Sequence, residues 1–95
     1  MRLKDKVIII TGAKSGIGLA AARRCSQEGA KVVIADVRNA QQEVETIVAK
    51  GHDAIFVQTD VSSESSVREL IRQTIGKYGR IDVSRRRTYS VLRSV

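Results

Sequence analysis

Proline and tryptophan are missing from these 95 residues, which hold one cysteine, one histidine and three aromatic rings. With Cys25 alone there is no intramolecular disulfide and no cysteine metal cluster. His52 sits in a Gly-His-Asp turn with no second histidine to share a metal, and is expected as an exposed loop residue. Aromatics at 3% leave the core to aliphatic side chains, drawn from a hydrophobic fraction of 42%. No apolar run reaches membrane-spanning length, and none follows a charged leader as in a signal peptide. A cytoplasmic protein of one small domain is expected, with no membrane association and no bound metal.

Acid is scarce in one place. Residues 1–83 carry 13 Lys/Arg against all 10 Asp/Glu, whereas residues 84–95 add four arginines (Arg85, Arg86, Arg87 and Arg93) and no acid. More than half of the +7 net charge therefore lies in the last twelve residues. Three clustered arginines near one tyrosine, Tyr89, are a weak nucleic-acid or acidic-partner signal. A solvated, disordered basic tail over 84–95 is the favoured expectation.

The informative stretch is Val7 to Gly18. Four β-branched residues, Val7 to Ile10, suit a strand buried on both faces. Gly12, Gly16 and Gly18 follow, and Leu19-Ala-Ala-Ala-Arg-Arg24 then favours helix. Strand, glycine turn and helix in that order make an anion site. Glycines let the backbone turn and approach a ligand, and the helix start offers free N–H groups. The spacing Gly-x-x-x-Gly-x-Gly differs from Gly-x-Gly-x-x-Gly, and no Gly-Lys-Ser/Thr follows, so a nucleoside-triphosphate loop is excluded.

Helical spacing of Ile17, Ala20, Ala21 and Cys25 places that face of a first helix, about 16–28, on a sheet. Lys31–Ala35 reads as a second strand ending at Asp36, and Asn39 as the cap of a second helix over about 40–50. Ala54–Gln58 is a third strand ending at Thr59-Asp60. Ser62 or Ser63 then caps a third helix striped by Val67, Leu70, Ile71, Thr74, Ile75 and Tyr78. A fourth strand starts over Arg80–Val83. The order β-α-β-α-β-α-β implies an α/β fold, a partial doubly wound parallel sheet of about four strands and three helices. It also places Gly12–Gly18, Asp36 and Asp60 at the carboxyl ends of the strands, where such sheets bind ligands.

About twenty residues beyond the glycine turn, Asp36 is placed to accept from an adenosine ribose and to repel a 2′-phosphate. NAD is therefore expected over NADP, although Lys14 and Arg38 can soften the repulsion. Asp60 serves equally as an adenine contact or as a turn residue bonding its own backbone.

Thr11-Gly-Ala-Lys-Ser-Gly-Ile-Gly18, Asp36, Asp60-Val61 and Gly79-Arg-Ile-Asp-Val83 together resemble the amino-terminal part of a short-chain dehydrogenase/reductase. The resemblance spans residues 1–83 and implies a Rossmann domain, a nicotinamide dinucleotide and hydride transfer between alcohol and ketone. It further implies a pyrophosphate turn at Gly12, Ser15, Gly16, Ile17 and Gly18, a ribose contact at Asp36 and an adenine contact at Asp60 and Val61.

Past Val83 the family pattern would give Asn-Asn-Ala-Gly, but here Ser84-Arg-Arg-Arg87 follows. The family's catalytic serine, tyrosine and lysine fall beyond residue 95, so these residues are expected to be a truncated cofactor-binding part, inactive alone. Tyr89 and Arg93 mimic the tyrosine–lysine spacing only. They follow strand four too closely, and arginine differs from lysine in shape and hydration. Strand four is expected as an open edge, available for self-association. A non-catalytic nucleotide-binding module is the alternative.

Overall fold

Chain order in the computed structural model, which describes residues 3–85, is β1 (Val7–Thr11), α1 (Gly16–Gln27), β2 (Lys31–Asp36), α2 (Gln41–Ala49), β3 (Asp53–Gln58), α3 (Glu64–Tyr78) and β4 (Val83–Arg85). The four strands form one parallel sheet in the order β3-β2-β1-β4. β1 and β2 are central, which explains their unbroken apolar sequence: both faces of each strand are covered.

Alternation along the strands divides the core in two. Ile8, Ile10, Val32, Ile34 and Ala54 point to the side that also holds Ala22 of α1 and Val44 and Ile47 of α2. Ile9, Val33, Ala35 and Val57 point to the opposite side, against Leu70 of α3 and Ile81. Phe56 and Tyr78 are only partly buried at the two margins, so aliphatic side chains make up both cores.

The helices stop where left-handed glycines stop them. Gly29 after α1, Gly51 after α2 and Gly79 after α3 have φ of 96°, 89° and 81°. Ser63 caps α3, its hydroxyl accepting from Ser66 N at 3.3 Å. At α2 the N-cap position is Ala40, yet Asn39 Oδ1 accepts from Gln41 N at 2.8 Å and satisfies one of the exposed donors.

Two sequence expectations shift. Ile17 and Ala20 do not face the sheet: Ile17 is 90% exposed, while Ala22 and Ser26 are buried in its place. The three alanines of α1 offer no polar contrast to fix its face. Ser26 tolerates burial because its hydroxyl donates to Arg23 O at 2.8 Å. The fourth strand also begins later than Arg80 and takes in Ser84 and Arg85, in register with Ile9 and Ile10. The basic stretch from Arg86 onward, with Tyr89 and Arg93, lies outside the described residues.

Asp82 fixes the entry to β4. Its Oδ2 accepts from Val7 N at 2.8 Å, and its own N–H donates to Val7 O at 2.9 Å. Replacing it by alanine leaves the buried Val7 N–H without an acceptor, at a cost of about 1–3 kcal/mol. Asp82→Ala is therefore expected to lower the urea midpoint with an unchanged slope, and Asp82→Asn, which keeps an acceptor, to lower it less.

Candidate functional site

The carboxyl ends of β1, β2 and β3 carry the chemistry. β1 runs into Gly12, whose φ of 67° turns the chain back over the sheet and whose N–H donates to Ala35 O at 2.8 Å. Gly16, at φ 61°, opens α1, and a Cβ built there would meet nothing within 4 Å. At Gly18 a Cβ would lie 2.4 Å from Gly12 O, so the helix can sit against the turn only through a glycine. The three glycines have separate jobs: Gly12 and Gly16 supply left-handed backbone, and Gly18 permits contact.

The first turn of α1 has no acid, and Ser15, though at the N-cap position, makes no side-chain cap. The leading N–H groups of α1 have a helix dipole behind them and no acid beside them, an arrangement that suits an anion. Ile17, Val37 and Val61 stand exposed around the same edge, at 90%, 57% and 41%.

Asp36 closes the rim. Its carboxylate is buried, Oδ2 accepting from Lys14 N at 3.1 Å and from Arg38 Nη2 at 3.0 Å. Oδ1 accepts from Arg38 N at 2.9 Å and Arg38 Nε at 3.1 Å. Burial works to raise its pKa, but the bonds from Arg38 and from Lys14 N outweigh it and bring the value down from 3.8 to about 2. Asp36 is therefore a fixed carboxylate joined directly to the glycine turn.

Both nearby cations are already matched. Arg38 forks onto Asp36, with Nη1 also 3.4 Å from Ser15 Oγ. Lys14 Nζ pairs with Glu43 Oε2 at 3.1 Å. Nothing in the sequence patterns singles out Glu43. An acid in a helix's first turn reads as a dipole complement, and its partner lies 29 residues earlier.

Asp60 adopts the turn arrangement. Its Oδ1 accepts from Ser62 N at 2.9 Å and Ser62 Oγ at 2.6 Å, and these bonds draw its pKa down. Thr59 N donates to Asp36 O at 3.0 Å, which links this turn to the end of β2. Elsewhere, His52 is half-buried, and Cys25 is half-buried against the α1/α2 core. Among the described residues there is no group of metal-ligating side chains and no helix long and apolar enough to cross a membrane.

Known proteins share this fold. A family model described as short chain dehydrogenase matches residues 6–84. An uncharacterized oxidoreductase of Bacillus subtilis, YxnA, is 46% identical over 84 residues, covering 85% of this chain and 23% of that protein. Meso-2,3-butanediol dehydrogenase of Serratia marcescens is also 46% identical over 84 residues, covering 87% of this chain and 33% of its own length. The crystal structure of an Escherichia coli hydroxysteroid dehydrogenase superposes with a TM-score of 0.87 at 34% identity, over 90% of this chain and 37% of the other. The chain thus spans between about a quarter and about two-fifths of each of these proteins. With the family match running from the start of β1 into β4, and the glycine turn and Asp36 at the ends of adjacent strands, the chain belongs to the short-chain dehydrogenase family.

Proposed function

We propose that residues 1–83 form the cofactor-binding part of an oxidoreductase that moves a hydride between an alcohol and a ketone, with NAD preferred over NADP. The observation that carries the proposal is the bond between Lys14 N of the glycine turn and the Asp36 carboxylate, at 3.1 Å. It supports reading the glycine turn as a phosphate-binding loop and Asp36 as its neighbouring ribose-binding acid. Gly12, Ser15, Gly16, Ile17 and Gly18 take the pyrophosphate, Asp36 the adenosine ribose, and Asp60 and Val61 the adenine.

A carboxylate has about four acceptor positions, and Arg38 and Lys14 donate four bonds to Asp36 here. A ribose hydroxyl would take over one of the two Arg38 side-chain bonds to Asp36, leaving Arg38 paired through the other. A 2′-phosphate would instead be held against the buried Asp36 charge, while both neighbouring cations are paired. That charge balance supports NAD. When bound, the nicotinamide supplies the hydride chemistry, and these residues bind and orient the nucleotide. With a single cysteine and no candidate span among the described residues, a cytoplasmic location is proposed as well. The outer edge of β4, a strand of three residues, is the proposed place for self-association.

A thermal melt with each dinucleotide tests the reading. At a hundred times its dissociation constant a ligand selective for the folded state adds about 2.7 kcal/mol, several degrees in a domain this small. NAD is expected to raise the midpoint clearly and NADP less. Equal shifts would remove the NAD preference, and a cooperative melt moved by neither would remove the nucleotide reading.

A further inference from the structure

Lys14 lies in the glycine turn, one residue before Ser15, and its backbone N–H already touches Asp36. That contact places the base of the Lys14 side chain next to any anion seated beside Asp36. Its ammonium, however, points to α2, where Glu43 Oε2 receives it at 3.1 Å. Both side chains are partly buried, at 31% and 20% exposure. The contact is also one-sided. Glu43 Oε1 is buried and bonded to nothing among the described residues. A partly exposed pair held through one carboxylate oxygen adds little to stability. Its clear effect is on the charge of Lys14.

We infer that Glu43 is a specificity residue: by holding Lys14 it keeps a cation away from the ribose 2′ position and so excludes 2′-phosphorylated nucleotides. Resting on the nucleotide reading above, the inference adds a second element of discrimination beyond Asp36. Asp36 repels the extra phosphate, and Glu43 withholds the neighbour that would offset the repulsion. The bond from Lys14 lowers the pKa of Glu43.

The test is a four-chain cycle: the unaltered chain, Glu43→Gln, Lys14→Gln and the double variant. Each is titrated with adenosine 5′-monophosphate and adenosine 2′,5′-bisphosphate by calorimetry, after a melt that establishes folding. Glu43→Gln is expected to improve bisphosphate binding relative to the monophosphate by about five- to tenfold, modest for a charge-assisted contact because Lys14 is partly exposed. Lys14→Gln alone should leave the ratio within about twofold, since its charge is already engaged, and the double variant should return to the original ratio.

An unchanged ratio in Glu43→Gln overturns the inference. So does a gain that survives in the double variant, which would reflect the general field of the site rather than Lys14. A loss of bisphosphate binding in Lys14→Gln alone would also overturn it, by showing that Lys14 is free to bind. Should Glu43→Gln not fold, Glu43→Asp, whose shorter arm loosens the pair, must show a smaller shift in the same direction or the inference fails. Absence of binding to either nucleotide by folded, unaltered chain would sink the nucleotide reading itself, and this inference with it.

Discussion

Gly18→Ala is expected to lower stability by about 2–3 kcal/mol and to abolish dinucleotide binding together with it. The added Cβ would stand 2.4 Å from Gly12 O, 3.0 Å from Ala13 Cα and 3.0 Å from Gly12 C. All three are backbone atoms, so no rotamer change makes room. Either α1 slides away from the turn or the turn opens, and both moves disturb the packing of Ala22 under the sheet. In a domain of this size the midpoint should fall by roughly 10–20 °C, read in a thermal melt. Gly16→Ala is the matching control. Its Cβ meets nothing within 4 Å, and the cost is confined to the left-handed backbone at φ 61°, about 1 kcal/mol. A Gly18→Ala chain no less stable than Gly16→Ala would mean that helix and turn are not in contact as described.

That contrast marks what is legible in a sequence and what is not. Three glycines between a β-branched run and a helix announce a turn, and the alternation of elements gives the parallel sheet. Spacing cannot separate a glycine required by φ from one required by a neighbour, because the neighbour is brought near by the fold. The buried face of α1 is illegible for a related reason. Ala20, Ala21 and Ala22 are equivalent as letters, and Ile17 reads as a core residue by its hydrophobicity, though it projects past the sheet at 90% exposure.

Asp36 is legible from its place after the second strand. Its bonding is not, since the sequence presents Arg38 and Lys14 only as nearby charges. Glu43 has no signal at all, as an ion pair across 29 residues leaves no periodic mark.

Asp36→Asn is expected to have the larger functional effect. The substitution keeps the shape and removes the charge proposed to repel a 2′-phosphate, while releasing the Arg38 fork. A ribose hydroxyl loses its charged acceptor and a phosphate gains a cation. Each change is a charge-assisted contact of about 1.5–3 kcal/mol, so the ratio of NAD to NADP affinity should fall by about a hundredfold or more.

The same carboxylate gives a pH signature that needs no ligand. A folded-state pKa depressed from 3.8 to about 2 means that Asp36 contributes stability at pH above 3.8, and that the contribution is lost as pH falls through about 2. Its full value is about 2 kcal/mol, which follows from the shift and from a side chain only 4% exposed. Urea unfolding across pH 2–7 should therefore show the unaltered chain more stable than Asp36→Asn at neutral pH. The two curves should converge between pH 4 and pH 2. A constant gap down to pH 2 would show that the substitution costs packing rather than charge, and the nucleotide preference would then have to be assigned to the cations instead.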